Sequence, residues 1–223
     1  MKTSNRIILI TMAVLVFYFS AAFVELRLKG DYGHRKTQTE KQVIPDFKHL
    51  QFTAIDQHIN IRYSDTASFE LNGERDFSFE AIEYELKGDT LILHDLGSAN
   101  DDQEYLVINT NSNLKSIKSV GSRYTIRDLQ TDSLVINIRG GRGAISDCPK
   151  VDHLDLEATW NAEFDVFETP FESVNLMIRQ SNVELRSEVR SLTGQMSERS
   201  YLGLYDVQNF QFQKDESSNL RMY

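Results

Sequence analysis

The segments Leu134-Val135-Ile136-Asn137-Ile138, Leu154-Asp155-Leu156-Glu157-Ala158 and Val174-Asn175-Leu176-Met177-Ile178 repeat one pattern. Each carries apolar side chains at an anchor position and at two and four positions beyond it. That alternation points three side chains to one face of a strand. Weaker copies follow at Leu192 with Met196 and at Phe210 with Phe212, and an imperfect opening copy sits at Ile117. The anchors fall at 117, 134, 154, 174, 192 and 210, and the first step is the shortest. Self-similarity at about 20 residues is the mark of a solenoid, in which each unit must stack on a neighbour to bury its apolar face.

A second inward patch lies roughly ten residues past each anchor. It comprises Ile145, Phe164, Val183 with Leu185, Leu202 with Leu204, and Leu220 with Met222. Between the patches lie corner residues: Gly140-Gly141-Arg142-Gly143, Trp160-Asn161 and Ser181-Asn182. The spacing therefore predicts an all-β solenoid with about 18–20 residues per rung. Its clear repeats run over 117–223, within a head domain at 43–223.

Upstream of the repeats the chain also reads as strands. Phe47 to Ile55, Ile59-Ile61-Tyr63, Phe69-Leu71, Phe77-Phe79 and Tyr105 to Asn109 alternate with polar residues. Ile82-Tyr84-Leu86 and Leu91-Leu93 flank Lys87-Gly88-Asp89-Thr90, where the glycine suits a hairpin turn. Ser98 to Glu104 reads as a loop.

The N-terminus is of another kind. Ile7 to Val24 is an uncharged run behind Lys2 and Arg6. At about 18 residues it is just long enough for one crossing of a bilayer as a helix. A cleaved signal peptide ending near Ser20-Ala21-Ala22 is the alternative. Residues 1–28 are thus expected to be a transmembrane or signal helix and 29–42 a polar linker. Arg27, Lys29, Arg35, Lys36 and Lys41 follow the run, so the positive-inside count opposes export. Long acidic domains translocate regardless of such counts, and the head is expected outside the cytoplasm, in the cell envelope.

The order Phe47-x-x-Leu50-x-Phe52, Lys87-Gly88-Asp89-Thr90-Leu91-x-Leu93, Asn113-Leu114-x-x-Ile117 and Val120-Gly121-Ser122, followed by stacked rungs, resembles the head-GIN-domain family of exported bacterial envelope proteins. The resemblance covers Val43 to Tyr223. It implies a single-stranded parallel β-helix and an adhesin-like role, with no established activity. The small corner persists at Gly121-Ser122 and Gly140-Gly141 but becomes Thr159-Trp160-Asn161 or Gln180-Ser181-Asn182 later.

Composition narrows the chemistry. A formal net charge of −9 disfavours nucleic acid, whose phosphates require clustered Lys and Arg. The lone Cys148 permits neither an intrachain disulfide nor a multi-cysteine metal site. His34, His49, His58, His94 and His153 have no ligand spacing, so no metal and no cofactor are expected. Gly140-Gly141-Arg142-Gly143 lacks the Lys-Ser/Thr of a phosphate loop, and no Gly-x-Ser-x-Gly elbow occurs.

One constellation stands out as a candidate binding site. Trp160, the sole tryptophan, occupies a corner, with Asp155, Glu157, Glu163 and Asp165 at outward positions beside it. Aromatic planes stack on sugars, and carboxylates act as acids, bases or calcium ligands. Strand alternation sends Asp155 and Glu157 to one wall and Glu163 and Asp165 to another, which argues against a convergent catalytic pair. Solvated charges beside a packed tryptophan are the plainer reading. The expectation is a non-catalytic binding, adhesion or structural module with a membrane, glycan or envelope-protein partner. A carbohydrate-active β-helix enzyme and a cytosol-facing anchored scaffold are the alternatives, and the oligomeric state is open.

Overall fold

Alternating aliphatic residues make strands, and strands of one period stack. The computed structural model of the chain describes residues 12, 15–16, 18–20, 38–73, 82–96 and 105–223. The chain divides into two units, Met1–Thr37 and Gln38–Tyr223. In the first, residues 12, 15–16 and 18–20 are helical, and no helix among the described residues is long and apolar enough to cross a membrane. Most of the Ile7 to Val24 run lies outside the described residues, as do the strand expected at Phe77-Phe79 and the loop at Ser98 to Glu104.

The second unit is all-β. Its first strand, β1 (Gln38–Val43), takes up residues expected to be linker. Next come β2 (His49–Thr53), β3 (His58–Tyr63), β4 (Ser68–Gly73), β5 (Glu83–Lys87), β6 (Thr90–Asp95) and β7 (Tyr105–Thr110). Then follow β8 (Ser116–Val120), β9 (Arg123–Arg127), β10 (Ser133–Arg139), β11 (Arg142–Ser146), β12 (His153–Thr159) and β13 (Glu163–Phe167). The last four are β14 (Phe171–Arg179), β15 (Asn182–Ser197), β16 (Tyr201–Lys214) and β17 (Asn219–Met222).

Each turn of the solenoid places one strand on each of two walls. On the first wall β8, β10, β12, β14, the later half of β15 and the later half of β16 pair in parallel. On the second, β9, β11, β13, the earlier halves of β15 and β16, and β17 do the same. That makes six successive turns, β8–β9 through to β16–β17.

The inward columns are the ones the repeat predicts. Leu134, Leu154, Val174 and Leu192 stack, and so do Ile136, Leu156 and Leu176 and, behind them, Ile138, Ala158 and Ile178. All are buried, Leu156 to 2 % and Ile136 to 0 % exposure. Three details of register differ from expectation. Ile117 stands opposite Ile136, not Leu134, so the first step is nearly as long as the later ones. Phe164 stacks on Gly143, while Ile145 stacks on Val166. Gly143 has no side chain because Tyr124 and Phe164 fill its place: a Cβ there would lie 2.8 Å from the Tyr124 ring and 2.7 Å from that of Phe164. Met222, expected inside, is 61 % exposed.

Corners must bend the backbone inward, where its N–H groups leave the strand ladder and need other partners. Two buried side-chain ladders supply them. At the corner from first to second wall, Ser181 Oγ accepts from Ala162 N–H (3.2 Å), Ser200 Oγ from Ser181 N–H (3.4 Å) and Ser218 Oγ from Ser200 N–H (3.2 Å). At the opposite corner Cys148 Sγ accepts from Leu129 N–H (3.4 Å), Thr169 Oγ1 from Cys148 N–H (3.2 Å) and Ser187 Oγ from Thr169 N–H (3.1 Å). Burial pushes the Cys148 thiol up to about 11. Cys148 is thus an acceptor in a ladder rather than simple apolar filling.

The N-terminal end is built differently. The β2–β3 turn sits between β6–β7 and β8–β9, since β2 pairs with both β6 and β8, and β3 with both β7 and β9. Beyond it the walls end in antiparallel strands: β5 on β6, as the hairpin pattern predicted, and β4 on β7 with β1 outside.

Candidate functional site

The corner from first to second wall enters the left-handed backbone region at one residue or at two, as at Gly140-Gly141 and Trp160-Asn161. Ala54, Gly121, Gly140, Trp160 and Gln180 occupy the first such position in successive stacked turns, each donating its N–H to a carbonyl of the following one. Glycine adopts that conformation freely. Trp160 holds it at φ 60°, and the residue is 59 % exposed. The Arg139 guanidinium stands over the ring, 4.8 Å from its centroid. The packed tryptophan of the plainer reading is therefore not found; the ring projects outward from a rigid corner.

The four predicted carboxylates divide between the walls. Asp155 and Glu157 are exposed on β12, and Glu163 and Asp165 stand on β13. Glu157 borders a groove of ≈ 490 Å³ on the first wall, shared with Lys118, Asn137, Arg139 and Thr159. Glu163 and Asp165 border another, of ≈ 390 Å³, on the second wall with Arg142, Asn182, Glu184 and Tyr201. Asp155 lines neither, and Trp160 stands at the corner between them.

The second-wall groove is internally neutralised. Arg142 Nε donates to Glu163 at 2.7 Å and Arg186 Nε to Glu184 at 2.7 Å. Asp165 is held above the ordinary carboxylate range, first by partial burial and then by Glu184, with Arg186 and Arg142 pulling the other way. A raised carboxyl suits a general acid, but its neighbouring carboxylates are already tied to arginines. No group of three or more His, Cys, Asp or Glu side chains that could hold a metal ion occurs among the described residues.

Two features escape a reading of the sequence. One is the Arg139–Trp160 pair; the register that sets Arg139 opposite Thr159 puts Gly140 beside Trp160 and so brings Arg139 to the ring. The other is an aromatic and arginine column on the second wall. Tyr205 and Tyr223 stack at 4.4 Å, Arg186 lies over Phe167 and Tyr205 at 5.2 and 5.9 Å, and Arg221 covers Tyr223 at 4.7 Å. These rings turn their faces to one another and to guanidinium groups.

The architecture is that of a two-walled parallel β-solenoid with an antiparallel cap. It is similar to the solved structure of a candidate adhesin from Bacteroides fragilis, with a TM-score of 0.58 at 11 % identity, covering 83 % of this chain and 96 % of that one. A protein from Parabacteroides distasonis described as a candidate lipid-binding protein aligns at TM-score 0.49 and 12 % identity, over 83 % of this chain and 96 % of its own. A candidate adhesin from the same species aligns at 0.49 and 10 %, over 85 % and 94 %. The first likeness shows a shared fold. No protein-family model matches the chain, and no curated protein does.

Proposed function

We propose that this chain is a binding module of the cell envelope, of the head-GIN-domain kind, held outside the cytoplasm by its Ile7 to Val24 segment. Residues 1–28 serve as the anchor or signal segment in this reading, and the solenoid engages its ligand on its outer walls. The observation that carries the reading is Trp160: a large aromatic residue, 59 % exposed, fixed on a left-handed corner and held by Arg139. Tryptophan offers a large amphipathic contact face and is enriched at binding surfaces. The printed description of the Bacteroides fragilis structure as a candidate adhesin supports the same reading, as does the uncharged N-terminal run. Catalysis has less support, because Glu157 borders one groove and Glu163 with Asp165 another, Asp155 borders neither, and Glu163 is paired with Arg142.

Two measurements test this. A reporter active only outside the cytoplasm, fused after Tyr223, is expected to be active in a Gram-negative host; activity from a cytosol-only reporter there would overturn the placement. A glycan array run beside a polysaccharide-cleavage assay is expected to give binding without cleavage. Turnover would instead make the protein an enzyme.

A further inference from the structure

Four arginines on the outer walls of the turns are neutralised. Arg142, Arg179, Arg186 and Arg190 each pair with a glutamate. Arg139 and Arg179 share one outward column, with Thr159 between them. Arg179 reaches Glu198 at 3.4 Å. Arg139 and Lys118, by contrast, have no carboxylate within 4.0 Å among the described residues, and both line the first-wall groove of ≈ 490 Å³. In that groove the two cations outnumber the one carboxylate, Glu157, and in a chain of net charge −9 the remaining positive charge favours an anionic ligand group.

The groove also has the other parts of a sugar site. It crosses β8, β10 and β12, about 10 Å at the ~4.8 Å spacing of strands. Asn137, Thr159 and Glu157 offer hydrogen-bond donors and acceptors along it. Trp160 stands at its corner end, its ring within cation–π distance of Arg139. Gly121 and Gly140 carry no side chain at the equivalent corner position of the two turns before Trp160. An acidic peptide would use the cations equally well but has no systematic need for an exposed indole.

We infer that the first-wall groove ending at Trp160 binds an acidic saccharide. The C–H face of one ring stacks on the indole, and a carboxylate or sulfate lies between Lys118 and Arg139. The inference rests on the binding-module reading and gives it a ligand class.

The single tryptophan makes the site its own probe. The full-length protein in detergent is titrated with a linear oligogalacturonate, with the same oligomer methyl-esterified to neutrality, and with polyglutamate, while tryptophan emission is followed. The acid form is expected to saturate the signal at an affinity at least about tenfold tighter than the ester, the size of one charge-assisted hydrogen bond. Arg139→Gln and Lys118→Gln should each bring that ratio close to one, with the melting temperature and the weak ester binding retained. Trp160→Ala, followed by calorimetry, should lose both ligands, and Arg190→Gln on a distant paired arginine should change nothing. Equal binding of acid and ester would overturn the acidic assignment and leave the binding-module reading standing. A polyglutamate response matching that of the acid oligomer would overturn the saccharide. No response to any of the three would remove the site itself, whereas the export reporter tests the module's placement independently.

Discussion

The six turns from β8 to β17 and the N-terminal cap are made of similar strands put to opposite uses. Between the first and the last of the turns, each strand is flanked on its wall by the strands one turn earlier and one turn later in the chain, always in parallel. In the cap, β2–β3 is laid between β6–β7 and β8–β9, and the outermost strands run antiparallel. Parallel stacking can propagate without limit, and its end is a ready template for another strand. An antiparallel strand stops it, and here β1 and β5 carry Glu40, Lys41, Glu83, Glu85 and Lys87. Repetition supplies the length of this molecule, and departure from repetition supplies its boundary.

The sharpest way to break this comparison is to attack the register of the turns. Leu156→Asp puts an unpaired carboxylate between Ile136 and Leu176, a cost of several kcal/mol even after its pKa shifts. Against a typical domain stability of ~5–15 kcal/mol, thermal unfolding should find little folded protein. Glu157→Lys, one residue on and exposed, should be nearly silent. If the two results were exchanged, the strand faces would be reversed.

Next in size is a test of whether cap and turns unfold together. Phe69 in β4 is 0 % exposed and Phe164 in β13 is 1 % exposed. Phe69→Ala and Phe164→Ala should each cost about 3–5 kcal/mol and lower one shared melting transition. Were Phe69→Ala to split the melt, with the later transition unmoved, the cap would be an independent unit.

A smaller effect belongs to the turns alone, through the corner ladder. Cys148→Ala removes the acceptor for the buried Leu129 N–H, at about 1–3 kcal/mol. Cys148→Ser keeps an oxygen there, as Thr169 and Ser187 do in later turns, and should be much milder. The thiol adds a pH signature. Its folded-state pKa, near 11, exceeds the ordinary value of about 8.5, so the unfolded chain deprotonates first. Stability from this group is complete below about pH 8.5 and declines as pH rises toward 11. Melting temperatures across that window should fall less steeply in Cys148→Ser; an identical slope would remove the thiol from the account.

At the small end are the outer carboxylates. Glu157→Ala and Glu163→Ala should each move stability by no more than about 0.5 kcal/mol, and calcium should leave the melting temperature unchanged. A calcium-dependent rise abolished by either substitution would show an ion site that side chains on two walls had not suggested.

The turns were legible because each buries the same positions of neighbouring copies, so Leu134, Leu154 and Val174 announce their own contacts. The cap was legible only as strands. Nothing in the alternation of Leu50 and Phe52 says that they stack between Leu91-Leu93 and Ile117-Ser119, because any apolar strand of that face would fit there. The length of the first step was hidden for a related reason: Ile117 matches the anchor and the next inward position equally well, and only its partner Ile136 fixes the choice. Among the site residues, Trp160 was visible by rarity and its four carboxylates by alternation. Arg139 and Lys118 were not, since what sets them apart is that stacking brings both to one groove, a property of neighbouring turns rather than of any local pattern.

The placement of β2–β3 between later strands bears on the order in which the chain can fold. A simple solenoid could add turns in order of arrival, each new strand closing on the last. Here the earliest turn waits with both edges open: Leu50 meets Leu91 on one side and Ile117 on the other. Such long-range pairings raise contact order and slow folding, and exposed edges invite association with other chains in the interval. Residues up to Arg127 must therefore be in place before the first turn is closed on both sides, and the later turns can then wind on from a finished base.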